Sequence, residues 1–582
     1  MKKLAAKLRD WMEETHGTAF ELRRHFFRRF FDSDLVSSAG QWQVVAGGFI
    51  AIVLSLCVPM IQAYYHKYLM LQALDSPQPY RMAAVADHLF LITFSMTLTG
   101  LLTAMQWPSL FPGLRDYLVL AGLPVRTRDV FVAKFMALLT YIAIFIAALN
   151  WPPCGALNFA MHGRYYISRA ANPGVLFLSM TLAAFFVFFA LVALQGLLLN
   201  VVSPRLFPGV SLLVQCILFT LLICFLPFVL SIPGLDRYMH LRPDFARWIP
   251  PAWFLGLDQE MLGNREPYVH GLAVMAKVAA GAAAFCALAA YLWSYRRQKV
   301  RMIETPIQTR HEFAALRRWR NKWSDRFLPQ QPEHAVFSFT MATLARSRLH
   351  RMVLTGFVAV AFALIVESFV SLILGGGFKG FAVKTFALEE AAVSAPLALS
   401  LFVLAGYRYL FRLPVEVRAN WLFRVHEGGN RELLLRGMER FVFCLGVLPI
   451  ALLTLPLEIE IFGALTGAAV SLLAFLPSLV MEEVLLAGFE KIPFTSAYLP
   501  GKRPLIETVC MYGIAFGAYV GILSGLIVTS LRETPYFLIV LGSLLAIWAR
   551  VRKGRLEYWH VGELEFEEVA EPAVQTLAIY RD

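Results

Sequence analysis

Charge is scarce in this sequence. Charged residues make up 16 % of its 582 positions, against 58 % hydrophobic and 14 % aromatic residues; ordinary globular chains carry roughly 25 % charge. So little charge cannot cover a soluble surface. A mean hydropathy of +0.60 makes lipid the solvent for much of the chain. The disordered, collagen-like and disulfide-scaffold classes are excluded with it. The seven cysteines (Cys57, Cys154, Cys216, Cys224, Cys286, Cys444 and Cys510) include no CxxC pair. Six of them lie in apolar runs, where cysteine behaves as a small hydrophobe. Neither a zinc site nor a disulfide framework is expected.

Signatures of catalysis are also missing. No GxxxxGK[ST] loop occurs, since Gly501-Lys502 runs into Arg503 without the upstream glycine. The chain therefore has no loop of the usual kind to cradle ATP phosphates. HExxH, GxSxG and kinase signatures are absent too, and no histidine lies deep in an apolar run. Met481 to Gly488 resembles the paired-glutamate motif of membrane-embedded CAAX-type proteases. Ala487 stands where those enzymes need arginine, and their later helical histidines are missing. The expectation is a chain that is not an enzyme and holds no cofactor or metal of its own.

Long apolar runs fill the remainder. Twelve reach or approach the ~20 residues that a spanning helix needs, at about 43–64, 87–106, 131–150, 174–200, 208–232, 272–293, 352–374, 389–407, 441–456, 461–482, 506–528 and 536–549. They are continuously apolar, without the period-two alternation of barrel strands. The expected fold is all-α, a polytopic membrane protein with twelve transmembrane helices in a 6+6 arrangement. Its parts are an interfacial N-terminal helix (1–41), a first six-span half (42–293), a basic linker (294–351), a second six-span half (352–549) and a C-terminal tail (550–582). Most of the 53 Lys+Arg fall on one side of these spans. The positive-inside rule then puts both termini in the cytoplasm, in the inner (plasma) membrane. The first apolar run begins too late for a signal peptide. The net charge of +13, with no nucleic-acid motif, is read as anchoring on anionic membrane lipids rather than binding nucleic acid. Phe20 to Asp34 (FELRRHFFRRFFDSD) puts Phe20, Phe27, Phe30 and Phe31 on one helical face beside arginines, the pattern of a helix in the headgroup plane.

Two intramembrane features stand out. Glu367 falls near the middle of the seventh run and is the single carboxylate read at such depth, a functional candidate or a protonated, hydrogen-bonded helix contact. Gly513, Gly517, Gly521 and Gly525 recur every fourth residue, a stripe that lets helix backbones approach.

The order of elements carries a resemblance. An interfacial helix precedes span 1. Trp107–Val130 separates spans 2 and 3, and a longer segment, Ile232 to Pro267, precedes span 6. Phe111 to Asp116, Leu123 to Arg126, Phe131 to Lys134 and Pro251 to Leu257 fit this layout, as do Leu413 to Trp421, Ile492 to Thr495 and Leu499 to Lys502 in the second half. The chain resembles the membrane (permease) subunits of ATP-binding-cassette exporters of the second type, a bacterial branch with two halves in one chain. The resemblance implies export driven by a separate ATPase subunit in two copies, which binds ATP and Mg. It also implies short re-entrant helices before span 6 and coupling elements in the turns, with Arg115, Asp116, Arg126, Pro414, Glu416, Arg418 and Asn420 as candidates. Only about seven residues separate spans 11 and 12, which departs from the family. The alternatives are a major-facilitator-like secondary transporter, with Glu367 as the proton-coupling carboxylate, and a non-transporting scaffold or lipid-binding protein.

Overall fold

The computed structural model describes residues 20–27, 42–73, 77–111, 127–161, 173–203, 206–230, 246–304, 330–374, 381–413, 419–426, 431–489, 491–495 and 513–561, with isolated positions 17, 415, 564 and 566. They form helices and no strand. The chain divides into two compact units, Met1–Gln308 and Thr309–Asp582. In unit 1 the helices are α1 (Trp42–Gln72), α2 (Pro77–Met105), α3 (Thr127–Ala160), α4 (Pro173–Val201), α5 (Phe207–Leu230), α6 (Pro250–Met261) and α7 (Pro267–Glu304). Unit 2 holds α8 (Gln331–Arg346), α9 (Arg348–Leu374), α10 (Phe381–Phe411), α11 (Asn420–His426), α12 (Arg431–Phe462), α13 (Ala464–Leu486), α14 (Gly513–Ser530) and α15 (Thr534–Val561).

Among the described residues, eleven helices are long and apolar enough to cross a bilayer, and α1 runs through the first expected span. The protein is an all-α polytopic membrane protein. In lipid the backbone must satisfy its own hydrogen bonds, which helices do within one segment. The helices overrun the apolar runs. α12 extends ten residues before the ninth run and six beyond it, and α15 reaches Val561 where the run ends at 549. Hydrogen bonding continues past the last apolar side chain, so charged turns become part of the spans.

Each unit is built on one central helix. In unit 1 α2 packs on α4, α5 and α6, and α7 lies along α4. In unit 2 α10 packs on α9, α12, α13 and α14. Two π-turns, Phe443–Val447 in α12 and Gly517–Ile522 in α14, add a residue to a helical turn, a device common at functional sites. A single glycine, Gly463, links α12 to α13 at φ +83° and ψ 164°, a conformation that essentially only glycine takes.

The N-terminal helix at 20–27 packs on the basic end of unit 1, the end that carries the N-terminus of α3. Leu22 and Phe26 are its buried residues. Arg23 donates to the Thr140 hydroxyl at 2.6 Å and Lys134 lies 5.4 Å from the Phe26 ring centre. The protein-facing side is thus Leu22 and Phe26, while Phe20 and Phe27, read as part of the face in the headgroup plane, are half-buried. Phe30 and Phe31 lie outside the described residues.

Candidate functional site

The far end of unit 1, opposite that basic end, carries a buried polar cluster built by α1, α2, α4 and α6. α6 starts with Pro250 and Pro251 in its first turn, where a missing N–H costs nothing. It stops at Gly263, φ +93°, with Gly263 N donating to Glu260 O and Asn264 N to Gln259 O, both at 3.0 Å. This left-handed glycine ending reverses the chain into α7. Asp258 on α6 is fully buried. His88 Nδ1 of α2 lies 2.7 Å from its Oδ2, and Ser179 of α4 donates to Oδ1 at 3.3 Å. One position back on α2, Asp87 accepts from Lys67 Nζ and Tyr68 Oη of α1, both at 2.6 Å. α1 and α6 are thereby keyed to α2, and α4 to α6, by buried polar side chains. Outside the spans, Glu260 accepts from Lys277 at 2.7 Å and from His270 at 2.9 Å. Those hydrogen bonds, Lys277 foremost, hold its carboxyl below the usual range.

At the basic end of unit 1, Trp107 closes the bundle. Its indole donates to Ser211 at 2.9 Å, Gln195 donates to its carbonyl at 2.6 Å, and Phe111 stacks on Tyr291 at 4.8 Å. The turn after α2 therefore leaves from an anchored start. Arg115, Asp116 and Arg126 lie outside the described residues.

In unit 2 the corresponding end holds a charge network. Arg555 of α15 is buried between Glu439 of α12, 2.9 Å away, and Glu483 of α13, with its guanidinium 4.0 Å over the Trp559 ring. Arg440 pairs with Glu333 of α8 at 2.6 Å. The paired glutamates Glu482 and Glu483 are thus packed among arginines at the end of α13.

The two second-half stretches singled out in the sequence meet beside this network. Phe494 N donates to Phe411 O at 3.0 Å and Val415 N to Phe494 O at 2.9 Å. The His350 ring meets Phe494 edge-on at 4.9 Å. Phe494 has φ +67°, a left-handed backbone that costs a non-glycine residue roughly 1–3 kcal/mol. Asn420 is buried and donates to Thr495 O at 3.1 Å, so its side chain is turned into the protein. α11 instead presents Trp421 and Val425, 66 % and 70 % exposed. Pro414, Glu416 and Arg418 lie outside the described residues.

The expectations about intramembrane charge and the glycine stripe need correction. Glu367 lies in α9, seven residues before Leu374. It is not the single intramembrane carboxylate, since Asp87, Glu458, Glu482 and Glu483 also lie within spans. His88 is likewise inside α2 and buried. Glu458 and Glu483 lie where the helices extend past the apolar runs, and Asp87, His88 and Glu482 stand at the edge of a run. Among the described residues the glycine stripe makes no packing face, because a Cβ built on Gly513, Gly517, Gly521 or Gly525 meets nothing within 4 Å. The close approaches fall elsewhere: at Gly196, where a Cβ would lie 2.7 Å from Ala290 Cβ, and at Gly467, 2.8 Å from Glu458 O.

Among the described residues no group of three or more His, Cys, Asp or Glu side chains could hold a metal. Compared with family models, with curated proteins and with solved structures, the chain matches none of them, so the functional reading rests on its own geometry.

Proposed function

We propose that the protein is the membrane-spanning permease subunit of an ATP-binding-cassette-type exporter, driven by ATP hydrolysed with Mg on a separate ATPase subunit in two copies. Its basic ends face the cytoplasm in this reading. The observation that carries it is α11. This short helix is pinned from behind by Asn420 and by the backbone pairing of Phe411 and Val415 with Phe494, and it holds Trp421 and Val425 outward at the basic end. A rigid apolar patch of this kind suits transmission of force from a partner, since its ordering entropy is already spent. α6, reversed onto α7 and keyed to α2 and α4, supports the same reading as a short helix ahead of the sixth span.

The test is co-purification. The chain alone should not hydrolyse ATP, and it should retain an ATPase subunit encoded elsewhere. Trp421→Glu with Val425→Glu should fold and lose that subunit. Retention of the subunit by the double variant, or ATP hydrolysis by the pure chain, overturns the proposal. Glu367→Gln separates the secondary-transport reading: a proton-driven carrier relying on it loses transport, whereas an ATP-driven permease keeps it.

A further inference from the structure

The far end of unit 2 contains an acid with nothing to hold its charge. The buried residues on the outer part of α12 are Ile450, Thr454 and Glu458, spaced four apart on the side that meets α13. The Thr454 hydroxyl donates to Ile450 O and is satisfied. Glu458 is fully buried, and neither Oε1 nor Oε2 has a hydrogen-bond partner. The hydroxyl of Ser471 on α13 is the polar group that approaches it. Gly467, one turn before Ser471, brings the α13 backbone against the backbone of Glu458 and Ile459, which seals the carboxyl off. Among the described residues the other acids toward this end are Glu460 on α12 and Glu533 ahead of α15, which are exposed, and Glu367 on α9 and Glu389 and Glu390 on α10, which are half-buried. Among the described residues no charged side chain hydrogen-bonds to Glu458.

We propose that Glu458 is a proton-binding site within the membrane, occupied in the packed arrangement shown here and emptied when α12 and α13 part. An isolated carboxylate in so apolar a place is far costlier than a neutral acid, so the packed hairpin holds the protonated form. Separation at Gly467 would admit water or a cationic partner and let the proton leave. Proton binding is thereby tied to the opening of one helix pair. The inference needs the membrane fold of unit 2 and not the ATPase partner. Pro456 and the π-turn at Phe443–Val447 are places where α12 departs from regular helix and where such a movement would be absorbed.

The experiment is infrared difference spectroscopy on the full-length protein in lipid at neutral pH. Subtracting Glu458→Gln from the parent should reveal the C=O stretch of a protonated carboxylic acid. The band should shift slowly on transfer to deuterated water, and faster in Gly467→Ala, whose added methyl wedges the two helices apart. Loss of a carboxylate band in place of an acid band overturns the proposal, as does an exchange rate that Gly467→Ala leaves unchanged. Should Glu458→Gln fail to fold, the parent reports by itself. Dicyclohexylcarbodiimide adds to protonated carboxyls, so its adduct on the Glu458 peptide supports the site. An unmodified Glu458 beside other modified buried glutamates overturns it.

Discussion

The far ends of the two units treat buried acid in opposite ways. In unit 1, Asp87 and Asp258 are each met by a base and by at least one hydroxyl, drawn from α1, α2 and α4. In unit 2, Glu458 has no partner for either oxygen. The basic end of unit 2 behaves like unit 1, with Arg555 shared between Glu439 and Glu483. Where water is excluded, a charge persists only inside a constellation that several helices assemble, and a lone acid must be neutral. The paired clusters therefore serve as keys that fix helix positions, while the lone acid is free to answer to its protonation state.

The comparison breaks most visibly at Arg555. Arg555→Ala removes the buried cation between Glu439 and Glu483 and leaves them only the half-exposed Arg552, 3.7 Å from each; removing one partner of a buried pair costs about 3–5 kcal/mol. Thermal unfolding in detergent should show a large loss of stability, and adding Glu483→Gln should recover part of it. If the single variant melts like the parent, the network is not holding α12, α13 and α15 together. A double-mutant cycle at His88 and Asp258 should return a coupling on the order of 0.5–3 kcal/mol. Near-zero coupling would mean that α6 is held on α2 by apolar contact alone.

Glycines give the next contrast. Gly467→Ala forces α12 and α13 apart and should cost about 1–3 kcal/mol. Gly521→Ala, with open space at its Cβ, should stay within roughly 0.5 kcal/mol in a melt of the same preparation. Equal effects at the two sites would place a packing partner on the stripe. The smallest effect concerns Glu260, whose carboxyl is held below its unfolded value by Lys277 and His270. Its stabilisation is present above the unfolded value and is lost as pH falls through the folded one. Because the pair is partly exposed, the contribution is no more than ~1 kcal/mol. Lys277→Ala should flatten the acid limb of the stability profile by that amount, and an unchanged limb shows the contact to be idle.

Particular residues show where the sequence was legible. The helices at Pro173–Val201 and Phe207–Leu230 fall almost where the apolar runs predict them, because so long a run with few polar and no charged side chains can only be a lipid-facing or buried helix. Glu458 falls between the ninth and tenth apolar runs, yet the helix continues to Phe462 and turns on one glycine. Phe494 and Phe411 are far apart in sequence, and no local pattern announces that their backbones pair. Asn420 and Trp421 stand side by side, and only the tertiary contact with Thr495 decides that the asparagine points in and the tryptophan out.

The sequence alone determined the class: a chain with 16 % charge and long apolar runs must live in lipid as helices, because hydrophobic length and backbone hydrogen bonding are local properties. The tertiary structure decided which acids find a base, which glycine is crowded and which helix face is left open. Those outcomes depend on distances between residues remote in sequence, and burial turns such distances into large electrostatic differences.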